Sequence, residues 1–101
     1  MDLSIILRQN LSSNIDNLIK YIDVVYPSIT IYSNQWFQIT NDSANKEIYN
    51  NNLAGKTVYN AQLVNWSGDS STPYGVDANG IYIIGNTGGT FKNVVIRYFY
   101  Y

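Results

Sequence analysis

Apolar positions in the first part of the chain recur with a helical rhythm. In LRQNLSSNIDNLIKYIDVVYP, Leu11, Ile15, Leu18, Ile22 and Val25 follow one another at steps of four, three, four and three, the a/d spacing of a coiled coil. Leu7, four residues before Leu11, extends the seam. Ser12, Ser13, Asn14, Asp16, Asn17 and Lys20 supply a polar outer face. Pro27 closes the segment, because a proline disfavours helix in the residue before it. Two heptads do not hold a helix by propensity alone. Such a helix must dock, either on the chain's own sheet or in a stalk shared between identical chains, and the periodicity leaves both open.

Beyond Pro27 the period changes from helical to two. SITIYS alternates, QWFQIT follows closely, and KTVYNAQLVNW keeps β-branched and aromatic residues in strand-like order, the pattern of half-buried strands. Trp36, within QWFQIT, is expected in the core. Between the second and third of these lies NDSANKEIYNNNLAG, which reads as a long polar loop with a short strand around Ile48 and Tyr49. SGDSSTPYG is a second loop and NTGGT a third. Asn79 and Gly80 in VDANGIYIIG sit between strand-like residues and signal a hairpin, whose type I′ turn needs positive φ at both central positions. The expectation is about six strands behind one helix: residues 1–27 an N-terminal anchor and helical stalk, residues 28–101 a small antiparallel β-sandwich.

The last strand, NVVIRYFYY, is apolar on both faces, with only Arg97 interrupting it. Val94, Ile96, Tyr98 and Tyr100 suit a sandwich core. Val95, Phe99 and Tyr101 then point the other way and need a cover of their own. A second copy of the chain is the economical cover for a domain this small, which buries a limited fraction of its surface alone; a second sheet of the same chain is the alternative.

Composition narrows the chemistry. The 101 residues leave no room for a second core. Charged residues make up 13%, the formal net charge is -1, and the six Lys and Arg are scattered, so there is no electrostatic footprint for nucleic acid or an anionic membrane surface. No stretch approaches a membrane span. Without Cys or His there is no disulfide, no thiolate site and no imidazole proton shuttle. The chain instead carries fourteen Asn and ten Tyr, a vocabulary suited to adaptable contact, although an AT-rich genome also enriches Asn. Sequons at Asn10, Asn41 and Asn65 carry no weight in an Asn-rich chain.

Catalytic residues are not apparent. The β domain has four carboxylates, Asp42, Glu47, Asp69 and Asp77, and no spacing selects the fixed pair a glycosidase needs. No phosphate loop or nucleophile motif occurs, so the expectation is no enzyme, no cofactor and no metal. GDSSTPYGVDANG lacks the alternation of a calcium loop, and turn chemistry accounts for its Asp residues. Aromatic rings beside polar loops are the more suggestive constellation, because sugars stack on such rings while Asn and Asp take their hydroxyls. Trp66, Asp69, Tyr74 and Asn86 are the candidate ligand contacts.

The heptad seam, NQWFQI, GKTVYNAQLVNWSG and above all the closing NGIYIIGNTGGTFKNVVIRYFYY together resemble the C-terminal receptor-binding tip domains of phage tail fibres and head fibres. The resemblance implies a homotrimer with a helical stem and a β-sandwich tip that adheres to a host-surface glycan or receptor, displayed on the virion. On that reading Leu11, Ile15, Leu18 and Ile22 form the trimeric seam, joined by Val95, Phe99 and Tyr101 from the last strand. The stem is short for a tail fibre, so the expectation is either a fragment or a small protein held to another virion protein through Leu3, Ile5, Ile6 and Leu7. No ligand-binding residue carries over from the resemblance. Two other readings stand beside it: a monomeric carbohydrate-binding module of a larger secreted protein, and a capsid decoration protein without ligand.

Overall fold

The computed structural model describes residues 19–68 and 73–101. Leu3, Ile5, Ile6, Leu7, Leu11, Ile15, Leu18 and Asp69 lie outside them. Among the described residues, six strands, one 3-10 turn and one α-helix follow in the order β1 (Lys20–Ile31), β2 (Phe37–Gln38), the turn Ile39–Asn41, α1 (Ser43–Leu53), β3 (Val58–Gly68), β4 (Pro73–Val76), β5 (Tyr82–Gly85) and β6 (Gly89–Tyr100). They make two three-stranded antiparallel sheets, ordered β1-β6-β3 and β2-β5-β4.

The sheets share one core. Val24, Tyr26, Ile29 and Ile31 of β1, Phe91, Val94, Ile96 and Tyr98 of β6 and Ala61 of β3 are buried together with Ile83 of β5, Ile39 and Leu53. Each fully buried aliphatic or aromatic side chain contributes about 1.5–3 kcal/mol of transfer free energy. The terminal strand divides as its sequence predicts except at its end: Val94, Ile96 and Tyr98 are fully buried, Tyr100 is only half-buried and outside the core, and the alternate residues Val95, Arg97 and Phe99 are half-buried on the opposite face.

Four expectations are corrected. The helical rhythm does not continue to Pro27, for the chain is already a strand at Lys20, and Ile22 and Val25 pair with Tyr98 and Val95 in the β1–β6 ladder. The apolar run Tyr21–Tyr26 satisfies either period, and pairing along the whole of β6 selects the strand. Ile22 packs against the core, whereas Val25 stands half-exposed on the outer face. Residues Ile48 and Tyr49 belong to α1 rather than to a strand. Trp36 is outside the core and 54% exposed, because the turn before the two-residue β2 carries it outward.

The fourth correction concerns the hairpin. It forms between β4 and β5, but only Gly80 has positive φ, at 67°. The Gly80 N–H donates to the Asp77 carbonyl at 3.0 Å, and the Asp77 carboxylate accepts from the N–H groups of Ile81 and Tyr82 at 2.8 and 2.9 Å. An ordinary turn closed by a left-handed glycine replaces the I′ turn.

Pro27 is accommodated inside β1 because that strand is an edge, where a residue without an N–H is tolerated. Tyr26 pairs with Val94 and Ser28 with Lys92, leaving Pro27 and Asn93 opposite each other. Asn93 has φ of 50°. At this point both strands place two consecutive residues outward, Pro27 and Ser28 on one and Lys92 and Asn93 on the other, and burial then resumes on the other parity. A one-residue slip normally inverts every side chain of a strand relative to its partner. Here the two strands invert together and the ladder keeps its register.

The helix α1 is built from poor helix formers, three of them consecutive Asn. It holds through its N-cap and through tertiary contacts. The Asp42 carboxylate accepts from the Asn45 N–H at 3.2 Å, as an N-cap does. Asn45 is itself buried and donates through Nδ2 to the Ser28 carbonyl of β1 at 2.9 Å. Ile48, Tyr49 and Leu53 bring the same side of the helix onto the core.

Candidate functional site

The outer face of the β1-β6-β3 sheet carries a continuous run of aromatic rings. Tyr21 of β1 and Phe99 of β6 are register partners with ring centroids 6.0 Å apart. Phe99 also lies 6.3 Å from Tyr59, which in turn lies 4.7 Å from Tyr101. Tilted contacts at these separations are favourable for ring quadrupoles. Tyr59 reaches this row through an irregularity in β3, where the register shifts between Val58 and Asn60; a second shift between Leu63 and Asn65 brackets Val64. Tyr21 is 51% exposed, Tyr59 43% and Tyr101 76%, and Val25 and Val64 are comparably open.

One ion pair belongs to this face. The Arg97 guanidinium donates to the Asp23 carboxylate through two nitrogens, at 2.8 and 3.1 Å, and lies 4.5 Å from the centroid of the Tyr21 ring. That hydrogen bonding holds the Asp23 carboxyl below the usual carboxylate range and pushes the Arg97 guanidinium up. The two charges cancel, so the face is aromatic and locally neutral.

A separate hollow of about 360 Å³ opens where β1, β2 and the start of α1 meet, lined by Ser28, Thr30, Phe37, Asp42 and Asn45. Thr30 shares a hydroxyl contact of 2.9 Å with Thr90. The amide Nδ2 of Asn45 is committed to the Ser28 carbonyl, which leaves its Oδ1 as the acceptor of that side chain. Among the described residues, no Lys or Arg lines the hollow.

The sequence-predicted contacts are dispersed. Trp66 lies half-buried on β3, packed against the core, Tyr74 is exposed on β4, and Asn86 is in the turn after β5, where its carbonyl accepts from the Ser33 hydroxyl at 2.9 Å. No ring contact or side-chain hydrogen bond joins these three. Among the interface candidates, Ile22 faces inward, while Val95, Phe99 and Tyr101 lie on the outer face. Sequence reasoning misses Tyr21 and Val25 on this face because the heptad rhythm reads their segment as helix. It misses the hollow because Thr30, Phe37 and Asn45 are far apart in sequence and become neighbours only through α1. Among the described residues, no three acidic side chains converge as a metal cluster would require.

Comparison of the chain with protein-family models, curated proteins and solved structures finds no match to any of the three.

Proposed function

We propose that this is a non-enzymatic structural and adhesive protein of the phage-fibre type, a homotrimer whose chains associate through the outer face of the β1-β6-β3 sheet. The β domain is the tip that contacts the host surface, and the segment before β1 attaches to another virion protein. The observation that carries this reading is the row Tyr21, Phe99, Tyr59 and Tyr101, with Val25 and Val64 beside it, left open to solvent.

The occupant of that face is a second copy of the chain. Half-exposed aromatic and aliphatic residues in these numbers offer on the order of 500 Å² of largely apolar surface, more than half of the roughly 800 Å² per partner in a standard interface. The Asp23–Arg97 pair on this face, each side chain about a third exposed, is mutually neutralised and leaves no net charge for a like surface to repel. Association then multiplies whatever weak contacts the tip makes, by roughly 10² to 10⁴ in avidity.

Light scattering behind a sizing column tests the reading through absolute mass. A mass of three times the 11.5 kDa chain is expected. A single-chain mass at micromolar concentration would refute it.

A further inference from the structure

We propose that the hollow bounded by Ser28, Thr30, Phe37, Asp42 and Asn45 is a binding site for one ring of a neutral saccharide. The inference deepens the adhesive reading by naming a ligand class and a place for it, and it uses none of the residues that carry self-association.

The walls fit a ring with one apolar face and several hydroxyls. Phe37, half-buried in β2 and packed against the core, lines the hollow, and its ring makes an edge-type contact with Tyr32 at 6.4 Å. Facing it are oxygen atoms on fixed supports. Asn45 is only 2% exposed, yet it lines the hollow, and its orientation is set because Nδ2 is held by the Ser28 carbonyl. Among the described residues the Oδ1 atom accepts no hydrogen bond, so it is an acceptor held in place by a buried scaffold with only a small part of the residue's surface open. Asp42 spends one carboxylate oxygen on capping Asn45 and keeps the other. The hydroxyls of Ser28 and Thr30 complete a set able to accept from, and donate to, sugar hydroxyls.

Charge decides against other ligands of this size. Among the described residues that line it, the hollow has no Lys or Arg to hold a phosphate, sulfate or carboxylate, and Asp42 repels an anion. A cation meets Asp42 favourably but also faces the positive end of the α1 macrodipole, which opens beside that residue. A neutral polyol pays neither cost. The volume of about 360 Å³ is at the small end of ligand sites, the size for one ring rather than a chain. A shallow site of this kind gives dissociation constants of about 1–10 mM.

The test is a two-dimensional amide NMR titration of the full chain with glucose, galactose, mannose and N-acetylglucosamine, each taken to about 50 mM to reach that affinity range. The expected result is saturable shifts from at least one sugar, confined to Ser28, Thr30, Phe37, Asp42, Asn45 and their neighbours. Phe37→Leu keeps an apolar side chain and loses the ring face, and Asp42→Asn keeps a good N-cap and loses the charge; each weakens binding at least threefold with the spectrum otherwise folded. Shifts centred on Tyr59, Phe99 or Trp36 instead, no response to any of the four sugars, or a response to butylammonium in their place would overturn the proposal. Because the titration reads the site directly, it fails or succeeds independently of the mass measurement.

Discussion

The Tyr26 and Tyr98 hydroxyls lie 2.6 Å apart across adjacent strands, and Tyr98 spends its proton on the Gly80 carbonyl at 2.7 Å, so Tyr26 is the donor to Tyr98. This relay runs from the β1–β6 ladder into the hairpin of the other sheet and satisfies polar atoms inside the core.

Removing its middle member is costly. Tyr98→Phe leaves the Gly80 carbonyl and the Tyr26 hydroxyl without their partner, at about 1–3 kcal/mol. The double variant Tyr26→Phe with Tyr98→Phe costs less than the sum of the two singles, since the second removal finds the network already broken. Urea unfolding of the four proteins measures the coupling, and simple additivity would show that the relay contributes nothing as a unit.

The same pair fixes an alkaline limit. Burial pushes the Tyr26 phenol up to about 12 and pushes Tyr98 up as well, whereas an unfolded tyrosine ionises near about 10. Below about pH 10 both states are neutral and the full stability is present. Above it the unfolded chain loses protons that the folded chain keeps, so stability falls as pH rises, by up to about 2.7 kcal/mol per pH unit for two groups. Denaturation midpoints from pH 8 to 11.5 should stay level and then drop. Tyr49 is also pushed up by burial, so Tyr98→Phe should make the drop shallower without abolishing it.

Gly80 has two reasons to lack a side chain. Its φ of 67° is left-handed, and an added Cβ would collide with the Tyr98 ring. Gly80→Ala is therefore expected to lose about 2–4 kcal/mol, combining backbone strain with overpacking. A thermal midpoint within a degree of the parent would contradict that close approach.

Asn93 also stands at positive φ but is exposed. Asn93→Val forces a β-branched residue into that conformation and should cost about 1–2 kcal/mol, while Asn93→Gly changes stability by less than about 1 kcal/mol. Equal losses from both substitutions would mean that the Asn side chain, rather than its backbone, is what matters.

On the outer face, Phe99→Lys combined with Tyr101→Lys places like charges on every copy of the association surface. The expected outcome is a single-chain mass with an unchanged far-ultraviolet spectrum, because neither residue belongs to the buried core. Retention of the parent's assembled mass would place the contact elsewhere.

Much of this was legible in the residues. Alternation in NVVIRYFYY identifies Val94, Ile96 and Tyr98 as the core face and Val95 and Phe99 as the outer one, because period two leaves no other assignment once the strand exists. Asn79–Gly80 marks the hairpin, although its turn type depends on a hydrogen-bonding role of Asp77 that lies outside the dipeptide. What was not legible is where two patterns fit one stretch. The residues from Tyr21 to Tyr26 satisfy a heptad as well as a strand, and Pro27 ends a helix as readily as it bends an edge strand. The helix α1 is obscured by Asn content, yet Asn45, Ile48, Tyr49 and Leu53 do recur at helical steps. Its defining contact, Asn45 to the Ser28 carbonyl, is tertiary and has no local signature.

The pairing of Lys20 with Tyr100 at one end of the β1–β6 ladder and of Ile31 with Gly89 at the other gives the domain two poles. The chain enters β1 and leaves β6 at the same pole, so a tether at either terminus emerges there. The opposite pole lies eleven residue steps away, about 36 Å at strand rise, and carries Tyr32, Trp36 and Asn86 in its loops. A load applied through the tethers pulls the two longest strands apart from their shared end, peeling hydrogen bonds one by one. The distal loops lie furthest from that load and are the last to feel it.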